Sequence, residues 1–384
     1  MVELGTLIQQ AKTVRCGSND YPVLSMTMHD GLVFQDDKFK KIIASKDRSD
    51  YKVVKRNQLV ISFPIDEGVL AAQRIVDAGI VSPAYGIWDI DQERILPEFL
   101  EYALRCDRAL SYYTAKLRGS TARRRSLPTP TLLAYTVPLP EISEQQIILN
   151  VIHKVKQIIS NRAKEIQQLD ELVKARFVEM FGDMYLNTME WRELHLETMA
   201  DIVSGITKGR KIAGKQLTKV PYMAVSNVKD GYIDWTTVKT IEATDQEINQ
   251  YRLLPDDVLM TEGGDPDKLG RGAIIRTPLE NCIHQNHIFR VRLDESHILP
   301  DYFAEYLKHQ RAKRYFLGCA KQTTGIASIN MKQLKALPVL LPPLELQNEF
   351  SAFIRQIDKS KVVVQKALDE AQTLFDSLMQ QHFG

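Results

Sequence analysis

Two stretches of the chain, 138-PLPEISEQQIILNVIHKVKQI-158 and 339-VLLPPLELQNEFSAFIRQIDKS-360, follow one pattern. In each stretch prolines precede a glutamine, Gln145 or Gln347, and apolar residues then recur at helical spacing. The two glutamines are 202 residues apart. Similarity within a chain at a fixed offset is the signature of internal repetition, so the pattern predicts two copies of one unit.

The repeat extends beyond these stretches. Both helical segments end in the dipeptide Phe-Gly, which is Phe181-Gly182 in the first and Phe383-Gly384 in the second. Upstream, LPEFLEYALRCDRALSYY from Leu96 matches LPDYFAEYLKHQRAKRYF from Leu299 at an offset of 203. An offset of this size is far longer than the roughly 20–50 residues of a solenoid repeat. Each copy is therefore expected to be a globular domain followed by its helix.

Composition is typical of a globular protein. Of the 384 residues, 44% are hydrophobic and 26% are charged, and the net charge is +2. No apolar run approaches the roughly 20 residues that cross a bilayer, and the N-terminal segment lacks the apolar core of a signal peptide. Four cysteines without CxxC spacing indicate free thiols in a reducing compartment. These features predict a cytoplasmic protein without membrane contact.

Each copy begins with mixed secondary structure. Short runs rich in β-formers, such as NQLVISF and YMAVSNV, are separated by Asp-Gly, Pro and Gly turns. One amphipathic helix is predicted after Leu96 in the first copy and after Leu299 in the second. We expect an α+β fold in which each globular domain of roughly 140 residues buries its own core.

The long helices carry an apolar seam that is typical of a coiled coil. Two helices of about 39 residues, each about 58 Å long, are expected to pair as an antiparallel coiled coil, with a pseudo-twofold axis relating the copies. At the start of the first helix, Ser143 and Gln146 are predicted to form a capping box, and Ile142 and Ile147 a hydrophobic staple. The alternative is a plain structural hairpin, which does not need two similar domains.

This arrangement resembles the specificity subunit of type I restriction–modification enzymes. The resemblance rests on the paired segments VPLPEISEQQ and VLLPPLELQN, the helices behind them, the Phe-Gly endings, and WRELHLETMADIVSGITKGRK from Trp191. The first copy starts VELGTLIQQAK and lacks such a Trp-containing opening. The resemblance implies target-recognition domains at residues 1–137 and 186–337, with spacer-helix regions at 138–185 and 338–384.

The resemblance also implies a function and partners. Each target-recognition domain would read one half of a bipartite site on double-stranded DNA. The spacer helices would hold the domains apart and dock two methyltransferase subunits, and through them restriction subunits. The loops SFPIDEGVLAAQ and TEGGDPDKLGRGAIIR of the two copies differ strongly, which predicts an asymmetric target.

Basic and polar residues concentrate on loops at matching places in the two copies. Such side chains can reach phosphates and base edges of DNA. In the first copy the candidate DNA-binding residues are Arg118, Ser120, Thr121, Arg123, Arg124 and Arg125, with Ser62 and Asp66 on a further loop. In the second copy they are Lys208, Arg210, Lys211, Lys215, Asp265, Lys268, Arg271, Lys321, Gln322, Thr323 and Thr324. A solvated surface or a mobile loop is the alternative for each cluster.

Signals of catalysis or cofactor binding are weak. Cys282, His284 and His287 invite a zinc site, but no fourth ligand lies nearby at finger spacing. GGDPDKLGRG lacks the Gly-Lys-Ser/Thr of a nucleotide P-loop. We therefore predict a non-catalytic DNA-recognition protein without metal or cofactor.

Other functions stay open at this point. The first is recognition in a different restriction system, in which one polypeptide carries methyltransferase and nuclease. The second is a coiled-coil adaptor whose domains bind proteins instead of DNA. A nuclease is the third, and it lacks a recognisable Asp…Glu-x-Lys centre.

Overall fold

The computed structural model of the protein describes residues 1–28, 30–38, 48–117, 127–211, 214, 216–265, 269–323 and 326–384. The chain divides into two units. The first comprises Met1–Ala163 and Gln365–Gly384, and the second comprises Lys164–Val364. A search of the described residues finds no helix able to span a membrane.

The first unit begins with short strands, and helices follow. Its strands are β1 (Val2–Glu3), β2 (Ile8–Gln10), β3 (Leu24–Thr27), β4 (Gly31–Phe34), β5 (Lys52–Lys55), β6 (Leu59–Ile61), β7 (Leu70–Ala72), β8 (Ala78–Val81), β9 (Gly86–Ile90) and β10 (Thr136–Val137). Its helices are α1 (Gln35–Lys38), α2 (Pro97–Arg105), α3 (Asp107–Lys116), α4 (Thr129–Leu133) and the N-terminal part of α5 (Ile142–Phe181). β4 begins at Gly31, whose φ of 67° suits glycine.

The second unit repeats this order. Its strands are β11 (Arg192–His195), β12 (Ala200–Ser204), β13 (Thr218–Met223), β14 (Lys239–Ala243), β15 (Asp257–Thr261), β16 (Gly263–Gly264), β17 (Gly272–Ile275), β18 (Ile283–His284), β19 (Ile288–Leu293), β20 (Lys321–Thr323), β21 (Ile326–Ser328) and β22 (Pro338–Leu341). Its helices are α6 (Asp245–Tyr251), α7 (Pro300–Tyr306), α8 (Gln310–Cys319), α9 (Met331–Lys335) and the N-terminal part of α10 (Leu344–Phe383). The mixed helix-and-sheet fold predicted from the sequence is confirmed.

Each unit contains a four-stranded antiparallel sheet with the same strand arrangement. The order is β2-β9-β6-β7 in the first unit and β12-β19-β15-β17 in the second. β15, with Val-Leu-Met at its centre, is buried along its whole length, as expected for a short continuous apolar run. The apolar face of the following helix joins the same core, through Phe99 in the first unit and Phe303 in the second.

The chain also enters the two units in the same way. β1 pairs antiparallel with β10, and β11 pairs antiparallel with β22. A 3-10 turn follows in each unit, at Leu4–Thr6 and at Leu196–Thr198. Leu4 and Leu196 are both fully buried. The first residues of the first copy therefore form the same strand and 3-10 turn as the segment after Trp191, although these first residues include no tryptophan.

The prediction of one amphipathic helix in each copy is wrong, because two helices stand there. An extended Cys106 (φ −71°, ψ 160°) separates α2 from α3, and an extended His309 (φ −81°, ψ 158°) precedes α8. In the first unit the side chain of Arg108, next to this break, donates to backbone carbonyls outside its own helix. Its Nε and Nη1 donate to the carbonyls of Phe383 and Thr136, both at 3.1 Å. These tertiary bonds offset the helical bonds that the break removes.

The predicted seams of the long helices are buried or half-buried. Within the second unit, the Phe177 and Phe350 rings lie 5.4 Å apart, and Lys361 Nζ lies 2.6 Å from Asp170 Oδ1. Phe350 precedes Lys361 on α10, whereas their partners on α5 stand in the reverse order, Phe177 after Asp170. The two helices are therefore antiparallel in this unit.

The predicted capping box and hydrophobic staple of α5 are wrong. The helix begins one residue before Ser143, so that serine lies inside the first turn and not at the cap. Gln146 donates instead to Asn150 Oδ1 at 3.1 Å. Ile147 is 63% exposed, so it lacks the burial that a hydrophobic staple requires.

The Phe-Gly endings close the core of each unit. In the first unit the Phe383 ring lies 4.9 Å from the Phe99 ring and 6.0 Å from the Tyr102 ring. In the second unit the Phe181 ring lies 4.9 Å from the Tyr302 ring. Both terminal phenylalanines are almost completely buried. Each unit thus combines the start of one long helix with the end of the other.

Candidate nucleic-acid interface

One end of the four-stranded sheet in the second unit collects several predicted DNA-binding loops. In an antiparallel sheet one strand ends where its neighbour begins, so the loops after one and before the other lie at the same end of the sheet. Here β12 and β15 end, and β19 and β17 begin, as the pairs Ser204–Phe289, Thr261–Ile288 and Met260–Gly272 indicate. We call the segments 205–211, 262–265, 269–271 and 285–287 the loop edge.

A second small sheet joins two loops that are far apart in sequence. TEGGDPDKLGRG contributes β16, and CAKQTTGIAS contributes β20 and β21, which pair in the order β16-β21-β20. A Cβ added to Gly263 would lie 3.0 Å from the carbonyl oxygen of Ala327. Glycine at this position therefore permits the close approach of the two loops.

Arg210 is held in an ion pair with Glu247. Its Nε lies 2.5 Å from Glu247 Oε1, and its Nη2 donates to Oε2 at 2.9 Å and to the Glu242 carbonyl at 2.8 Å. Hydrogen bonding to Arg210 lowers the pKa of Glu247 to about 2, and hydrogen bonding to Glu247 raises the pKa of Arg210. The guanidinium fastens its loop to α6, and its role as a DNA contact stays a prediction.

The other described candidates of the second unit differ in exposure. Lys208, Lys211 and Asp265 are exposed, whereas Arg271 is half-buried. Among the described residues, the buried Nε of Arg271 has no hydrogen-bond partner. A guanidinium N–H that lacks an acceptor is suited to an anionic ligand. DNA contact by these four residues stays a prediction.

Several predicted residues cannot be placed. Arg118, Ser120, Thr121, Arg123, Arg124, Arg125, Lys215, Lys268 and Thr324 lie outside the described residues. Lys321, Gln322 and Thr323 form β20, but their side chains also lie outside the described part of the chain.

Three further polar residues lie at the loop edge, and sequence analysis does not name them as candidate DNA-binding residues: Glu262, Asn286 and His287. His287 Nδ1 lies 2.5 Å from Glu262 Oε2, and Asn286 Nδ2 lies 3.5 Å from His287 Nε2. The side chain of His287 is 57% exposed. Asn286 and His287 belong to the segment CIHQNHIF, whose sequence suggests only a zinc site.

The first unit presents an equivalent edge with different residues. There β2 and β6 end, and β9 and β7 begin. Ser62 follows β6 and is buried, whereas Phe63 is 57% exposed. Asp66 lies in the next turn, and its buried Oδ1 has no partner among the described residues. Tyr85 precedes β9 and is half-buried.

Cys282 and His284 lie inside the second unit. The Nδ1 and Nε2 of His284 face the carbonyls of Tyr251 and Val203, at 3.0 and 3.2 Å. Burial lowers the pKa of His284 to about 4 and raises the pKa of Cys282 to about 12. No group of three His, Cys, Asp or Glu side chains among the described residues is placed to hold a metal ion.

Comparison with protein families finds a match to the part of the chain that contains the loop edge. Residues 189–371 match the family model of the type I restriction modification DNA specificity domain. This part of the chain is therefore similar to that specificity domain. The family resemblance predicted from the sequence is thereby confirmed, and the matched residues include the whole loop edge.

Curated relatives are specificity subunits. The type I restriction enzyme EcoKI specificity subunit of Escherichia coli K12 is 23% identical over 260 residues, which cover 64% of this chain and 55% of that protein. The putative type I restriction enzyme MjaX specificity subunit of Methanocaldococcus jannaschii is 27% identical over 182 residues, which cover 47% of this chain and 42% of that protein. The matched regions span about half the length of these relatives.

A solved structure has the same fold. The S subunit of a type I restriction–modification system from M. genitalium aligns with a TM-score of 0.57 at 15% identity, covering 100% of this chain and 95% of that one. At 15% identity this likeness establishes the fold.

Proposed function

We propose that this chain is the sequence-specific DNA-recognition subunit of a type I restriction–modification complex, and that it catalyses no reaction itself. The loop edge carries the proposal. Separate loops whose charge and polarity suit DNA contact meet at one end of a single sheet, within the residues that match the specificity domain. Side chains on loops held by a rigid scaffold are suited to reading DNA grooves.

Two target-recognition domains are proposed, at residues 1–137 and 186–337, each reading one half-site. The regions 138–185 and 338–384 act as spacers between them. The shared strand order of the two four-stranded sheets supports two equivalent readers. Because Ser62 and the other residues at the first edge differ from those at the loop edge, the two half-sites differ and the target is asymmetric.

The proposed partners are double-stranded DNA, two methyltransferase subunits and, through them, restriction subunits. On α5, Ile147, Val151 and Ile158 are 63%, 40% and 47% exposed. Their spacing places them on one helix face, and exposed apolar faces mark protein contacts. We assign this face to a methyltransferase subunit in the cytoplasm, where the cysteines, all free, stay reduced.

Methylome sequencing of the host with and without this gene tests the proposal. The expected result is an asymmetric bipartite motif that disappears with the gene. A coiled-coil adaptor predicts no change in methylation, and a motif with two equal halves would contradict the asymmetric reading.

Native mass spectrometry of the purified complex separates the two restriction systems. Two methyltransferase copies per chain, distinct from any nuclease polypeptide, are expected. A single polypeptide carrying both activities would favour the alternative system, and saturation at one methyltransferase copy would contradict the proposed stoichiometry.

A further inference from the structure

We propose that Glu262, Asn286 and His287 read base edges in the second half-site. The inference rests on the proposed function. Glu262 follows β15, and Asn286 and His287 precede β19. These are the two central strands of the four-stranded sheet, so the three residues occupy the middle of the loop edge.

The backbone that carries these residues is fixed by hydrogen bonds. The N–H of Glu262 donates to the carbonyl of His287 at 3.0 Å, and the N–H of Asn286 donates to the carbonyl of Ile206 at 3.1 Å. The hydroxyl of Ser204 donates to the Asn286 carbonyl at 2.6 Å. Discrimination between bases needs side chains on a rigid support, and these bonds hold the backbone that carries the three side chains.

The three side chains form a connected polar group. A neutral imidazole has one donor and one acceptor nitrogen. In the tautomer with its proton on Nδ1, His287 donates to Glu262 Oε2, and its Nε2 accepts from Asn286 Nδ2. The carboxylate of Glu262 and the amide oxygen of Asn286 are acceptors that suit the exocyclic amino groups of cytosine and adenine. The group therefore favours a cytosine or an adenine.

The strands next to the neighbouring cations are spaced on the scale of a DNA groove. Lys208 and Lys211 follow the outer strand β12, and Arg271 precedes the outer strand β17. Neighbouring strands lie about 4.8 Å apart, so the outer two of four are about 14 Å apart. The major groove is about 12 Å wide. Polar residues at the centre thus meet base edges while the flanking cations meet phosphates.

The competing explanation is that the Glu262–His287 contact only stabilises a turn. Under that explanation, changing either residue would alter stability but not base preference. Selection from a randomised duplex library, with the full chain in complex with its methyltransferase subunits, separates the two. The variants are Glu262→Gln, Asn286→Ala and His287→Ala, with Lys208→Ala and Lys211→Ala as matched controls from the same edge.

The expected result is a loss of preference at one or two positions of the second half-site, with the first half-site unchanged. Affinity for the wild-type target should fall about 5- to 150-fold for each base interaction that a variant removes, since such an interaction is worth about 1–3 kcal/mol. The lysine controls should weaken binding to all sequences alike. Each should also reduce the slope of log K against log salt by about 0.9 if it meets one phosphate.

The wild-type selection is read first because it tests the proposed function alone. If the wild type enriches a bipartite motif and the three variants keep every base preference, the inference is overturned and the proposed function stands. If the wild type enriches no motif, both fail. Should His287→Ala not fold, as thermal unfolding would show, Glu262→Gln decides the matter, because glutamine still accepts a hydrogen bond from His287.

Discussion

The side-chain oxygen of Gln145 accepts a hydrogen bond from the backbone N–H of Leu96 at 2.8 Å. Its amide nitrogen donates to the carbonyls of Arg94 and Pro140, both at 2.9 Å. Gln145 is fully buried. One side chain thereby joins the start of α5 to the start of α2 and satisfies a helix-terminal N–H that has no partner within its helix.

Gln347 makes the same set of contacts in the second unit. Its side-chain oxygen accepts from the N–H of Leu299 at 2.8 Å, and its amide donates to the carbonyls of His297 and Pro342 at 3.2 and 2.9 Å. It too is fully buried. The glutamine that marks the sequence repeat is therefore a structural joint in each unit.

Replacing either glutamine by alanine should destabilise the protein by about 1–3 kcal/mol, because a buried backbone N–H and two carbonyls lose their partners. Urea unfolding of Gln145→Ala and Gln347→Ala measures the change. The exposed neighbours Gln146→Ala and Asn348→Ala are the matched controls and should stay within about 0.5 kcal/mol of the wild type. Equal losses in the neighbours would contradict the joint.

The C-terminal Phe-Gly should be a core element. Phe383→Ala removes a ring that is 1% exposed, and loss of a buried phenylalanine typically costs about 3–5 kcal/mol. Urea unfolding with Gln381→Ala, an exposed position on the same helical turn, provides the comparison. A loss below about 1 kcal/mol for Phe383→Ala would show that the ring does not close the first unit.

The Arg210–Glu247 pair predicts a pH dependence of stability. The pKa of Glu247 is lowered to about 2 in the folded protein from an ordinary value of 4.5. The stabilisation is therefore complete above about pH 5 and is lost as the pH falls towards 2. Between pH 6 and pH 3 the wild type should lose roughly 1–2 kcal/mol more than Arg210→Gln, allowing for solvent screening of a partly exposed pair.

Urea unfolding at pH 6, 5, 4 and 3 checks this difference. Lys211→Gln is the control, because it removes a positive charge from the same loop at an exposed position. It should follow the wild-type pH profile. Parallel profiles for Arg210→Gln and the wild type would show that the pair does not contribute.

The long helices could be predicted because their signals are local. Apolar residues at helical spacing and prolines before each start define α5 and α10, and the burial of Phe177 and Phe350 agrees with the predicted seam. The helix break at Cys106 could not be predicted, because its compensating bonds reach Phe383, 275 residues beyond Arg108.

The candidate site depends even more on distant contacts. The sequence repeat has offsets of 202 and 203, whereas Leu4 and Leu196 correspond at an offset of 192, so a loop of different length hides that match. The positive charge of Arg210 predicts a DNA contact, but its partner Glu247 lies 37 residues away in the sequence, so the ion pair could not be predicted. The convergence of Glu262 and His287 likewise depends on the register of β15 and β19, which polarity alone does not specify.

The central claim is that two independent readers share one chain. Exchanging residues 186–337 for the corresponding domain of another specificity subunit, followed by methylome sequencing of the host, tests it most directly. The account predicts that one half-site of the methylated motif changes while the half-site read by residues 1–137 stays the same. A motif in which both half-sites change, or in which neither does, would contradict it.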